Sequence, residues 1–185
     1  AHDLATRLSY FLWASPPDQE LRSLADSGQI LKTRVLRGQF NRMVDDPRSQ
    51  AFYEGFLDSW LNLRALGGMP PCRDAASVYY HDDLETAMKK EVQLFNKHLI
   101  DSNGPFTDYI DSDYSFLNFP LAQLYQEKAD FPINQRHEFQ RVALKSGARG
   151  GLLGMAAVLT VSANGIETSP VTRGVFVLEN ILGTP

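Results

Sequence analysis

Apolar residues recur at helical spacing through the first third of the chain. Leu4, Leu8, Phe11 and Leu12 form one stripe, which Ser15-Pro16-Pro17 brings to a stop. Asp18 is suited to cap a short helix carrying Leu21 and Leu24, because its carboxylate can accept an unpaired N–H of the first turn. Gly28 ends that helix. Thr33 is read as the cap of a third helix with Leu36, Phe40, Met43 and Val44 on one side, and Asp46-Pro47 separates it from a fourth carrying Phe52, Phe56, Trp60 and Leu63. Four short helices with tight connections pack most readily as an antiparallel cluster.

Residues Gly67 to His81 have turn formers and no period, and read as a loop. Asp82 or Asp83 then caps the longest helix, which runs to about Asp101. Its core face is Leu84, Met88, Val92, Phe95 and Leu99, and its opposite face is Glu85, Lys89, Lys90 and Lys97. Short aromatic turns follow, and Asn118 caps a brief helix from Phe119 to Tyr125. Phe139 to Leu144 has strand propensity, and Lys145-Ser146-Gly147-Ala148 can turn it back. Gly151 to Val161 is apolar all round and predicts a buried helix; Val171, Val175, Leu178 and Leu182 predict a final amphipathic one. The expected fold is mainly α: an irregular antiparallel helical bundle with a small β-hairpin near residues 138–150. A helical domain would span residues 1–128, and residues 129–185 would add the hairpin and two helices packed on it.

A hydrophobic fraction of 43% is enough for a real core. The net charge of −4, with Lys and Arg scattered, argues against nucleic acid, which needs a concentrated basic face. The longest apolar run, around Met155 to Leu159, is far below the roughly 18 residues of a membrane span, so none is expected. The single cysteine, Cys72, allows neither an internal disulfide nor a four-thiolate metal site. The chain opens at Ala1-His2-Asp3 without an initiator Met or signal-type stretch, and it reads as a piece of a larger protein.

Motifs for catalysis are absent. The sequence holds no Gly-x-Ser-x-Gly, no His-Glu-x-x-His and no Glu-x-x-His pair, and Gly147 to Gly151 lacks the Lys-Ser/Thr of a phosphate loop. No catalytic residue is therefore assigned. Asp108, Asp111 and Asp113 form the densest acidic cluster, the one set able to offer oxygen ligands to a hard cation, although closely spaced Asp also serves turns. His81, Asp82, Asp83 and Glu85 resemble a ligand group but stand at a helix start, where acidic side chains complement the dipole. The segment Asn164 to Arg173 is the candidate interaction site. Ser169 is placed to cap the last helix, and Arg173, in its first turn, opposes the dipole and calls for an anionic partner, internal or external.

Longer motifs carry a family likeness. Leu4-Ala5-Thr6-Arg7-Leu8-Ser9-Tyr10-Phe11-Leu12-Trp13, with Pro17-Asp18, resembles the opening of a domain of unknown function found in large planctomycete-type proteins, and Asp113-Tyr114-Ser115-Phe116-Leu117-Asn118 resembles the motif near its end. Arg149-Gly150-Gly151-Leu152-Leu153, Leu159-Thr160-Val161-Ser162-Ala163-Asn164 and Val177-Leu178-Glu179-Asn180-Ile181-Leu182-Gly183-Thr184-Pro185 resemble the start of the domain that follows. The resemblance implies an exported protein, periplasmic or secreted, with a c-type haem in a neighbouring domain and no cofactor in these residues. The implied role is a non-catalytic helical scaffold or docking module whose partner is that adjacent haem-bearing domain of the same polypeptide. The alternative is part of a redox or carbohydrate-related active site, in which the Asp108–Asp113 and Asn164–Arg173 segments converge. A third reading is a binding surface built from Tyr79, Tyr80, Tyr109 or Tyr125.

Overall fold

Asp18 caps as its sequence position suggests: its carboxylate accepts the N–H of Leu21 at 2.9 Å and starts α2 (Gln19–Asp26), just after α1 (His2–Trp13). These elements come from a computed structural model, which describes residues 1–73, 77–80, 83–145, 147, 149–165 and 169–184. The chain divides into two compact units, Ala1–Phe56 and Leu57–Pro185, with the division falling inside α4 (Gln50–Trp60).

The first unit packs α1, α2 and α3 (Thr33–Asp45) around Leu12, Trp13, Leu21, Ile30 and Met43. Its inward face on α1 is Ala5, Ser9, Leu12 and Trp13, while Phe11 of the expected stripe is 60% exposed. The Trp13 indole donates to the Met43 carbonyl at 2.9 Å, and the Arg48 guanidinium lies 3.4 Å over the Trp13 ring. Arg42 pairs with Asp18 at 2.8 Å. Thr33 is the first helical residue of α3 rather than its cap. Lys32 holds the cap position, and its side chain has no oxygen with which to accept a turn N–H.

In the second unit the core face of α5 (Leu84–Asp101) is the one its spacing predicts: Leu84, Met88, Val92, Phe95 and Leu99 are all buried. Asp83 stands before it with a left-handed backbone, φ 50°, and makes no capping bond; Asp82 lies outside the described residues. Then come β1 (Tyr114–Leu117), α6 (Phe119–Tyr125, capped by Asn118), β2 (Gln140–Ala143), α7 (Ala156–Val161) and α8 (Pro170–Phe176). The molecule is mainly helical with one small antiparallel sheet, as the patterning indicates. The strand at 140–143 is present, but its partner is β1 and not a strand returning after Lys145. Ser115 faces Val142 across the ladder, and the Leu144 N–H continues the pairing to the Asp113 carbonyl at 2.7 Å. Tyr114 and Leu117 of β1 are buried, with Phe95 and Tyr114 rings 5.5 Å apart, so β1 is the strand that α5 covers.

Two further differences concern the C-terminal third. The apolar run from Gly151 is not one helix but a 3₁₀ turn at Leu152–Gly154 followed by α7. Gly151 has φ +56°, and a Cβ there would lie 2.5 Å from the Ile110 carbonyl, so the backbone needs glycine and cannot be helical at that point. In α8 and the π-helical turn Val177–Ile181 after it, the apolar stripe Val171, Val175, Leu178 and Leu182 is exposed. The inward residues are Phe176, buried, with Arg173 and Asn180 half-buried. Reciprocal bonds explain the rotation: the Trp60 indole donates to the Asn180 carbonyl at 2.6 Å, and the Asn180 amide donates to the Trp60 carbonyl at 2.7 Å. No helix among the described residues is long and apolar enough to cross a membrane.

Candidate functional site

Glu91 is carried into the core by the same helical period that buries its neighbours. It lies seven residues after Leu84 and four before Phe95, and it is fully buried. A carboxyl group is almost never found so deep without partners. Here both oxygens have one: the Ser115 hydroxyl donates to Oε1 and the Tyr125 hydroxyl to Oε2, each at 2.6 Å. β1 supplies the serine and the last residue of α6 the tyrosine. The Tyr125 oxygen in turn accepts the Ala156 N–H at 2.7 Å, which satisfies the start of α7. The Arg149 guanidinium lies 4.0 Å over the Tyr125 ring while donating to the Gly154 carbonyl at 2.8 Å.

Burial pushes the Glu91 carboxyl up to about 7, against the pull of the two hydroxyl bonds and the Arg149 charge. Burial, followed by the adjacent Glu91, also drives the Tyr125 phenol well above its ordinary value. The group can therefore exchange a proton near neutrality, but it has no visible route to a substrate. Among the described residues, cavities are bordered by Arg64 and Lys90, by Asn118 and His137, and, in an apolar case, by Trp60 and Leu153; none of these is lined by Glu91.

The three aspartates share a loop without sharing a ligand position. Asp108 accepts the Tyr114 hydroxyl at 3.2 Å, Asp111 lies beside Gly150, and Asp113 contributes its main-chain carbonyl to Leu144. Among the described residues no group of three or more His, Cys, Asp or Glu side chains is arranged to hold a metal ion. The loop is fastened by Ser112, whose buried hydroxyl donates to the Tyr114 carbonyl and accepts the Gly151 N–H, both at 3.1 Å. In the other segment, Asn164 precedes Gly165, whose carbonyl accepts the Cys72 N–H at 2.7 Å. Ser169 caps α8 by accepting the Thr172 N–H at 3.3 Å. Arg173 keeps its Nε buried without an acceptor, and no carboxylate among the described residues pairs with it; Glu167 lies outside them. Among the described residues, none of these cavities is lined by residues of both segments.

Tyr125, considered from the sequence as an exposed binding residue, is buried, and so is Tyr79; Tyr80 is exposed and Tyr109 half-buried. Sequence reasoning missed Glu91: the core face read for α5 did not include it, and the hydroxyls that admit it to the core come from residues 24 and 34 places away.

The family model described as PSD4, a protein of unknown function (DUF1592), matches residues 1–126, and that described as PSCyt3, a protein of unknown function (DUF1588), matches residues 149–185. Both names belong to planctomycete cytochrome-associated proteins. No curated protein and no solved structure matches the chain.

Proposed function

Since the chain belongs to the PSD4 family, with the beginning of a PSCyt3 region after it, we propose that it is a non-catalytic helical module. In this reading it scaffolds or docks an adjacent haem-bearing domain of a larger exported protein, periplasmic or secreted. The observation that carries this reading is the network at Glu91. Glu91, Ser115 and Tyr125 come from PSD4-matched residues, Arg149 and Ala156 from PSCyt3-matched ones. This buried, perturbed carboxyl is thus consumed in joining two sequence regions and is sealed from solvent. A reactive carboxyl would need the opposite, access to a reacting atom. A c-type haem held by two thioether attachments needs two cysteines, and Cys72 is the only one, which supports assigning the haem of this reading to the neighbouring domain.

The test is to mix the purified 185-residue chain with the haem-bearing remainder of the full-length protein and titrate the two calorimetrically. Saturable one-to-one association, with no turnover by the chain alone, is the expected result. Substrate turnover by the isolated chain without an added redox partner would refute the reading. So would a folded full-length protein that loses activity when Asp111 and Arg173 are both changed to Ala.

A further inference from the structure

The concave surface between the turn at Leu63–Ala65 and the first half of α5 has a charge pattern that the fold itself does not use. Its cavity of about 330 Å³ is in the range of small-ligand sites, roughly 300–1,000 Å³. Three cations, Arg64, Lys89 and Lys90, line it against one carboxylate, Glu85, in a chain whose net charge is −4. Internal pairing accounts for only part of this. Lys89 is held by Asp58 of α4, with Nζ 2.8 and 2.9 Å from the two carboxylate oxygens. Glu85 accepts the Tyr79 hydroxyl at 2.9 Å and packs against Gly67, where a Cβ would lie 2.6 Å from its oxygen. Arg64 and Lys90 are exposed, and among the described residues neither has a carboxylate partner. Leu66, half-buried, and the small part of Leu63 left exposed give the cavity some apolar lining beside the polar side chains of Thr86 and Gln93.

We propose that this groove binds a compact organic dicarboxylate, with Arg64 and Lys90 taking the two charged ends and the leucines the short apolar middle. Unpaired positive charge in a concavity concentrates anions. A guanidinium fork matches a planar carboxylate in two parallel bonds, while an ammonium serves as a point charge. The apolar lining at Leu66 favours a ligand with methylenes between its charges over a compact inorganic anion.

The probes are glutarate, its uncharged analogue glutaramide, and inorganic phosphate, each titrated into the 185-residue chain with backbone amide shifts followed by NMR. Glutarate should saturate and move amides of residues 63–66 and 85–93. The double variant R64Q/K90Q should weaken it roughly tenfold or more, as expected for the loss of two charge-assisted contacts. K97Q, which removes a cation paired with Asp101 at 2.7 Å near the other end of α5, should leave it unchanged. Both groove substitutions are at exposed positions, and an unchanged thermal melt checks that the variant is folded. Absence of saturation at millimolar glutarate, equal binding of glutaramide, tighter binding of phosphate, or amide shifts elsewhere in the wild-type chain would overturn the proposal.

Discussion

A buried acid with a raised pKa makes stability depend on pH in a direction opposite to that of the surface carboxylates. Glu91 has an ordinary value of 4.5 and is pushed up to about 7 when folded, so between those values the folded chain holds a proton that the unfolded chain has released. Stability from this group is therefore fully present below about pH 4.5 and falls as pH rises through the folded value, by on the order of 3 kcal/mol. Asp46 behaves inversely: its hydrogen bonds to Arg48 hold it at about 2, and its contribution is lost only on strong acidification. Glu91→Gln keeps the shape and a donor–acceptor pair for Ser115 and Tyr125 but removes the charge. Urea midpoints measured from pH 4.5 to 8 should show the variant gaining on the wild type as pH rises and levelling above pH 7. A difference that does not vary with pH would contradict the buried ionisation. The sequence disclosed the helical phase that buries Glu91, but not its partners, because a serine in a four-residue strand and a tyrosine at a helix end have no local mark of facing a carboxylate.

Element by element, the most readable segments are those whose own pattern and tertiary surroundings agree. α5 is the clearest: its apolar period is long enough to fix its phase, and every predicted core position is buried. α8 shows the opposite outcome. Its stripe of Val171, Val175, Leu178 and Leu182 has good helical spacing, yet the two-way bonding of Trp60 and Asn180 turns the other side inward. Periodicity cannot report a constraint imposed from 120 residues away. Phe176→Ala should therefore cost about 3 kcal/mol, the usual range for emptying a buried aromatic site, while Val171→Ser should change stability by less than about 0.5 kcal/mol. Guanidinium unfolding of the two variants separates the alternatives: equal losses would mean that the exposed stripe is packed. The β1–β2 pairing was half legible for a related reason. The propensity of 140–143 was plain, whereas its partner, 23 residues upstream of it, is only four residues long and lies among short aromatic turns.

For the molecule as a whole, two compact units each with a separate core are matched by two tryptophans, Trp13 in the first and Trp60 in the second. Single-tryptophan variants made by replacing the other with Phe give one optical probe per unit. Met43→Ala, in the first core, should lower the stability reported by Trp13 by about 2–4 kcal/mol, and Phe95→Ala, in the second, should do so for Trp60 by about 3–5 kcal/mol. A Met43 variant that left the Trp13 signal unmoved would mean that its core does not support that unit. The division at residue 56 was not read from the sequence: it falls inside one uninterrupted helix, where the neighbouring Gly55 does not end the helical run. The bond from the Ala156 amide to the Tyr125 hydroxyl has a practical consequence for anyone cutting this gene. A fragment stopped at residue 126, where the first family ends, would leave a phenol and a carboxyl at a raw surface meant to be interior. Boundaries drawn from inheritance and boundaries drawn from chemistry do not coincide here, and only the second kind yields a piece that can stand in water.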